Sequence, residues 1–438
     1  MLIAQHIIGK VSVLSNAQRR FFILAVQAIL CCRWRINFAS MSRVSSRTEK
    51  TFRRHFTKSI DFPRIHREVI DTVLPKDGEG LRVIGFDPTF IPKSGTHTPG
   101  VSKFWNGSGQ RAESGLEATV AAVIDVGRRI ALPLAIHQTL RPAVSQAVDS
   151  DIQSEGGKEA TSATMQTIAR QTTVKKADTT KDERRLIEEY LRHIQKILPL
   201  LTQKERHLVV DAYFAKKSFL DAIEKMALFC ITRLRKDANM KYFYGGEKRP
   251  SGRGRQKVYG EKVDWKNLQI DTFERTVLDD GTVLLSAALY HVGLKRRFKV
   301  VIVRKPMSKG VKQYILASTD ESLDATTIYH AYAARFQVEF IIRDAKGFTG
   351  LADAQTRDKQ SIDIHLNMSL LTLGLAPAEH YAEVGLESEK PFSMYTIKTR
   401  AANEHFALRI LSSYGHSAEM IKNHPEFQNI RNYAIAVP

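Results

Sequence analysis

Cysteine is scarce: three residues in 438, at Cys31, Cys32 and Cys230. That number supplies neither a disulfide framework nor a zinc-ligand spacing, and it suits a reducing cytosol. Long apolar runs are missing too. The longest, FFILAVQAILCC at 21–32, is too short to span a bilayer and lacks a signal-cleavage pattern, so it reads as a buried helix of a soluble chain with no membrane partner. Acidic residues are in deficit, 46 against 66 Lys and Arg, for a net charge of +20. Such an excess calls for a polyanionic partner, nucleic acid or an acidic membrane surface.

The charge is concentrated. The first 75 residues hold 13 Lys/Arg against 4 Asp/Glu. An apolar helix begins at Asn16 and runs through Leu30. After it, INFASMSRVSSRTEKTFRRHF reads as two short helices around a turn, with Ser45 or Ser46 as N-cap. Phe38, Met41, Val44 and Phe52 form the apolar side, and Arg47, Lys50, Arg53 and Arg54 face outward. A helix-turn-helix with a basic second helix for double-stranded DNA has this form. A plain bundle with basic solvent faces has it as well.

From Leu81 the texture becomes strand-like. LRVIGF ends at Asp87-Pro88, and because Pro88 cannot donate to a ladder, Asp87 is expected at the exposed end of a strand. A polar loop from Lys93 to Arg111 precedes two further strands, LEATVAAVID and RIALPLAIHQ. Residues 142–182 are polar and Ser/Thr/Ala/Lys-rich, a surface excursion. An amphipathic helix over 182–203 feeds HLVVD, which places Asp211 after a second strand, and AYFAKKSFLDAIEKM resumes a helix. Arg233 and Arg235 follow another strand, and residues 237–320 alternate in the β manner with a hairpin turn at 279–281. The basic, Gly-rich RPSGRGRQK at 249–257 suits either a phosphate-tracking loop or a solvated hairpin. An apolar helix over Asp363–Tyr381 should pack on the sheet.

YAARFQVEFIIRDAK at 332–346 predicts one amphipathic helix, capped by Asp324, Thr326 or Thr327 and stopped by Gly347. At about 100° per residue, Tyr332, Arg335, Glu339, Arg343 and Lys346 share a face. Phe336, Phe340 and Ile341 would anchor the helix in a core. One reading of the face is solvated i,i+4 ion pairs. The other is a carboxylate that holds a metal while its cationic neighbours hold phosphates. Asp87, Asp211 and Glu339 lie about 120 residues apart in turn. If they converge, three carboxylates suit Mg²⁺. Two such ions, roughly 3.5–4 Å apart, would serve in-line displacement at phosphorus by water or a 3′-hydroxyl.

The spacing Tyr332-x2-Arg335-x3-Glu339-x6-Lys346 resembles the YREK signature of the type-four group of bacterial insertion-sequence DDE transposases. GFDPTFIPKSG around Asp87 and VVDAYFAKKSF around Asp211 are similar to that group's first two acidic blocks. The resemblance covers about residues 35–375. It implies an α/β fold with an RNase H-like mixed-sheet core, a β-rich insertion domain and an N-terminal helical DNA-binding domain. The corresponding divisions are 1–78 for the helical domain, 79–236 and 321–380 for the core, 237–320 for the insertion and 381–438 for a C-terminal helical region. It also implies a catalytic and metal-binding triad of Asp87, Asp211 and Glu339 with two Mg²⁺ or Mn²⁺ ions. Arg335 and Lys346 would hold phosphates near the scissile bond, with Tyr332 on the same strand. The implied partners are transposon terminal repeats and target DNA, in a homodimer at the bacterial nucleoid. Relatives that proceed through a hairpin flip a base onto an aromatic residue of the insertion. Trp265 is a candidate for that stacking, and a core position is the alternative. The segment 142–182 departs from the family pattern.

Lys93 and Thr89 lie close enough in sequence to Asp87 to touch phosphate, with a plain loop role as the equal alternative, and Arg343, Arg233 and Arg235 would line the DNA path. His97, His137 and His365 show no ligand spacing and read as surface or core histidines. Three functional readings follow: a cut-and-paste transposase, a DNA-binding descendant that no longer cuts, and an RNase H-like nuclease that only hydrolyses.

Overall fold

The computed structural model describes residues 2–75, 80–95, 97–141, 182–246, 256–308, 310–388 and 390–435. The polar segment at 142–182, save its last residue, and most of RPSGRGRQK lie outside them.

Five helices open the chain: α1 (Leu2–Lys10), α2 (Asn16–Cys31), α3 (Phe38–Arg43), α4 (Glu49–His55) and α5 (Phe62–Val73). Ser15 and Gln18 form a reciprocal capping box that starts α2 where the sequence places it. Neither Ser45 nor Ser46 caps α4. Thr48 is the N-cap, and the Ser45 hydroxyl instead accepts from the Arg47 amide within the turn. Phe38, Met41 and Phe52 are buried, and Arg47, Lys50, Arg53 and Arg54 are exposed, as read from the sequence.

The strands are β1 (Arg82–Pro92), β2 (Ser102–Asn106), β3 (Arg111–Asp125), β4 (Ile130–Thr139), β5 (His207–Val209), β6 (Phe229–Leu234), β7 (Met240–Phe243), β8 (Tyr259–Lys262), β9 (Glu274–Val277), β10 (Val283–His291), β11 (Arg296–Met307) and β12 (Gly310–Ser318). They make a single sheet in the order β2-β3-β1-β5-β6-β12-β11-β10-β7-β8, with β4 also on β3 and β9 also on β10. Only β1, β5 and β6 run parallel to one another. The β-rich stretch is therefore continuous with the core, because β12 pairs directly with β6. The β9–β10 hairpin turns at Gly281, whose φ of 75° suits glycine. β2 lies in what the sequence suggests is an unstructured polar loop. It pairs with residues 111–115 of β3.

A helix over 182–197, α6, covers one sheet face. It stops earlier than its periodicity suggests because Pro199 has no amide to continue it, and a 3-10 turn over Leu198–Leu200 follows. α7 (Lys217–Lys225) follows β5. α8 (Ala325–Ala334), α9 (Phe336–Phe348) and α10 (Lys359–Val384) lead to α11 (Met394–Ser413), α12 (Ala418–Asn423) and α13 (Phe427–Arg431). The apolar α10 packs on β4, and also on α5, α2 and α1, so the N-terminal helices share one hydrophobic core with the sheet. Among the described residues no helix is long and apolar enough to cross a membrane.

Candidate active site

Two parallel strands set the first pair of acids. Val83, Ile84 and Gly85 of β1 pair with His207, Leu208 and Val209 of β5. Continued one for one, that register sets Asp87 opposite Asp211. β1 does not end at Asp87-Pro88, as the sequence suggests. It runs on to Pro92 because β3 pairs with all of it. The strand that ends is β5, and beyond it β1 keeps a partner on one edge alone, where a proline is tolerated. Asp211 then caps a 3-10 turn, its Oδ1 accepting from the Tyr213 amide at 2.9 Å.

The third acid arrives on a helix, and not on the single helix expected. The chain divides into two helices at Arg335, α8 before it and α9 after it. Each helix follows its own part of the sheet: α8 lies on β6, β10, β11 and β12, and α9 on β1, β3 and β4. Asp324 is the N-cap of α8, accepting from the Thr327 amide at 2.8 Å. The stop after α9 is Gly350, with φ 75°, and not Gly347. The amides of Thr349 and Leu351 both return to the Ala345 carbonyl. Of the expected anchors, Ile341 is buried and the two phenylalanines are not. Phe336 and Phe340 are 54% and 42% exposed, while Val338, Ile341, Ile342 and Ala345 take the buried side.

Gly85 lets α9 lie close. A Cβ there would stand 2.3 Å from Val338 Cγ2 and 2.7 Å from Ile124 Cδ1. Glu339 follows Val338 directly, so this bare patch of strand sets how near Glu339 comes to Asp87. Arg335 spans the two: its Nη2 donates to Glu339 Oε1 at 2.8 Å, and its Nη1 lies 3.8 Å from Asp87 Oδ1. The guanidinium is buried, and its Nε has no hydrogen-bond partner among the described residues.

Burial raises the Asp87 pKa to about 7. Arg335 opposes the rise, and the negative charges of Asp211 and Glu339 add to it. Burial raises Asp211 too, against the Tyr213 amide and the cations Arg335 and Lys216. Asp87 thus feels both other carboxylates from a poorly solvated place that favours added positive charge. The three are hard oxygen donors, the set that suits Mg²⁺ or Mn²⁺, and Arg335 already sits among them as a cation. The side chains as they stand do not enclose an ion: among the described residues no group of three His, Cys, Asp or Glu could hold a metal. Glu339 is drawn onto Arg335 instead.

Tyr332 lies half-buried in the last turn of α8, with Arg335 Cζ 5.8 Å from its ring centroid. Burial raises its pKa, opposed by Arg335 and Arg233, while the charge of Asp211 adds to the rise. Lys346 reaches back to β1, donating to the Phe90 carbonyl at 2.8 Å, and burial lowers its pKa. Arg233 joins this group from β6, over the Tyr314 ring at 5.4 Å.

Other sequence candidates lie elsewhere. Arg235 pairs with Asp237 at 3.1 and 3.2 Å, and Arg343 turns to Asp344 at 2.9 Å. Lys93 donates to the Ala354 carbonyl, and Thr89 is buried. Trp265 is half-buried, with its indole N–H on the Ala238 carbonyl at 2.8 Å. On α4, Arg53 pairs with Glu49 and covers the Phe38 ring at 5.5 Å. His365 is buried on the Gly350 carbonyl, His137 is half-buried beside His193, and His97 is exposed. The sequence reading missed Gly85, whose role depends on a helix some 250 residues away. It also missed Lys216, which lies over the Tyr213 ring at 3.2 Å and pairs with Glu183 at 3.1 Å.

A family model described as DDE superfamily endonuclease matches residues 11–282. The matched stretch contains Asp87 and Asp211 and ends before Glu339. No curated protein matches the chain.

Proposed function

Since the chain belongs to the DDE superfamily endonucleases, we propose that it is a DNA transposase of the insertion-sequence type-four group. In this reading it cleaves transposon ends and joins them to target DNA. The observation that carries the reading is the register that sets Asp87 beside Asp211, with Arg335 linking Asp87 to Glu339.

Asp87, Asp211 and Glu339 would hold divalent cations, which supply activation of a water or 3′-hydroxyl and charge stabilisation at the leaving oxygen. The chain's own groups do the positioning. Arg335 offers a planar fork to a phosphate, releasing Glu339 as the phosphate takes its place. Lys346 adds a point charge over β1, and Tyr332 borders the same strand of DNA from the Asp211 side. Arg233 extends this positive margin onto β6. The exposed basic face of α4 and its preceding turn is the recognition surface for terminal repeats, and two copies synapse two ends. The divisions at 1–78, 79–236, 237–320, 321–380 and 381–438 serve as functional units within one continuous core.

The test is cleavage of labelled DNA from the element's own ends with Mg²⁺, comparing wild type with Asp211→Asn. Metal-dependent nicking that the variant loses supports the site. Joined products separate transposition from hydrolysis, and hairpin-sized products mark the hairpin route. Tight binding without cutting by the wild type favours the non-catalytic descendant.

A further inference from the structure

Register alone follows one face of the sheet from the carboxylates to its far side. Gly85 pairs with Val209, Val209 with Ile231, Ile231 with Ser318, Ser318 with Lys299 and Lys299 with Ala288. Directly opposed residues share a face, as do residues two apart. Asp87 therefore lies on the same face as a second row, two residues from Lys299 and Ala288: Arg297 pairs with Tyr290, Tyr290 with Lys241, and Lys241 with Lys262.

This row of Arg, Tyr, Lys and Lys contains no carboxylate. Like charges directly opposite one another destabilise a sheet, and Lys241 faces Lys262 in that way. A lysine on the edge strand β8 is a common guard against edge-to-edge pairing, which accounts for Lys262. It does not account for Lys241 and Arg297, which lie on interior strands. Aromatic rings stiffen the floor beneath. Tyr259 stacks on Tyr290 at 4.0 Å, Phe243 lies 6.1 Å from Tyr259, and Arg297 covers Phe243 at 4.6 Å. Among the described residues the acids paired with β11 cations of this face are Glu321, on Arg297 at 2.9 Å, Glu274, on Lys299 at 3.0 Å, and Asp280, on Lys305 at 3.3 Å. None of the three pairs with Lys241 or Lys262.

We infer that Lys241, Lys262 and Arg297 form a second phosphate-binding surface for double-stranded DNA, away from the site of cleavage. The inference rests on the nuclease reading for its substrate. The strand order places the row four to seven strands from β1. At about 4.8 Å per strand, with about 13 Å of offset along the strands, the separation is roughly 23–36 Å. Duplex DNA rises about 3.4 Å per base pair. The contact therefore falls roughly seven to eleven base pairs from the scissile phosphate.

The experiment uses the full chain and a fluorescent 40-base-pair duplex centred on the element's end. Anisotropy titrations across salt compare wild type with the Lys241→Gln/Lys262→Gln/Arg297→Gln variant. Loss of three phosphate contacts lowers the slope of log K against log salt by about 2.7. Hydroxyl-radical footprints should lose protection roughly seven to eleven base pairs from the cut, and the side on which it is lost tells element DNA from flanking DNA. Lys262→Glu, at an exposed edge, repeats the test with little risk to folding and should weaken binding in the same direction. An unchanged slope in both variants, or protection lost only at the cut itself, overturns the inference. If wild type never cuts with Mg²⁺ while the slope still falls, the nuclease reading fails and the surface stands.

Discussion

Gly85→Ala tests how the site is assembled. The added Cβ would sit 2.3 Å from Val338 Cγ2, short of van der Waals contact by about 1 Å, with Ile124 Cδ1 blocking the other side at 2.7 Å. Val338 and Ile124 are fully buried, so neither can swing into solvent. Overpacking of this kind costs about 1–3 kcal/mol. The softer response is for α9 to lift from β1, which carries Glu339 with it. A displacement of about 1 Å in a catalytic group can cost on the order of 100-fold in rate. Thermal unfolding should register the stability loss, and single-turnover cleavage of end DNA the rate loss, with DNA affinity changed little. Val338→Ala removes the obstructing methyls, so the double variant should recover most of the rate, although the smaller side chain brings its own modest stability loss. A Gly85→Ala protein with wild-type rate and melting temperature refutes this account of how Glu339 is placed. So does a double variant no faster than the single.

Two further outcomes follow from the described contacts. Glu339→Gln keeps volume and removes a charge, so cleavage should be abolished while electrophoretic mobility shifts still show end binding; surviving cleavage would remove Glu339 from the site. His66 is wholly buried with neither ring nitrogen bonded among the described residues, and burial lowers its pKa to about 3; His193 falls to about 3 and His137 to about 4. With folded values below the ordinary 6.5, the unfolded chain takes up protons first. Stability is therefore full above pH 6.5 and declines below it, by about 2 kcal/mol per such histidine at pH 5. Urea unfolding at pH 7.5 and 5 measures the decline, and His66→Leu should flatten it by about a third. An equally steep decline in that variant would show that His66 titrates freely.

Most elements were legible because local chemistry sets them. Ser15 and Gln18 start α2, Asp324 starts α8, and the 279–281 turn closes a hairpin. Alternation marked the strands of residues 237–320, whereas Asp87, Asp211 and Glu339 stood out as a candidate site through the resemblance of the motifs around them, three acids among 46 being a weak signal alone. What was illegible depends on distant contacts. The break at Arg335 falls where the helices pass from one set of strands to another, a change absent from the unbroken helical pattern of 332–346. Phe336 and Phe340 therefore point outward against their hydrophobicity. The continuation of β1 past Pro88 depends on β3, and the merging of the β-rich stretch with the core depends on the β6–β12 pair.

The tie between Arg67 and Glu205 bears on how such proteins can be recombined. Glu205 is wholly buried just ahead of β5, and Arg67 of α5 donates to both its carboxylate oxygens at 3.0 Å. Exchanging the first 75 residues for those of a relative would swap the basic α4 face, but it would also replace the cation that neutralises a carboxylate six residues before Asp211. Removing one partner of a buried pair costs about 3–5 kcal/mol. A chimera would therefore succeed only if its donor carried an arginine at the matching turn of α5. The N-terminal helices and the sheet of this chain are therefore exchanged together, as a single block.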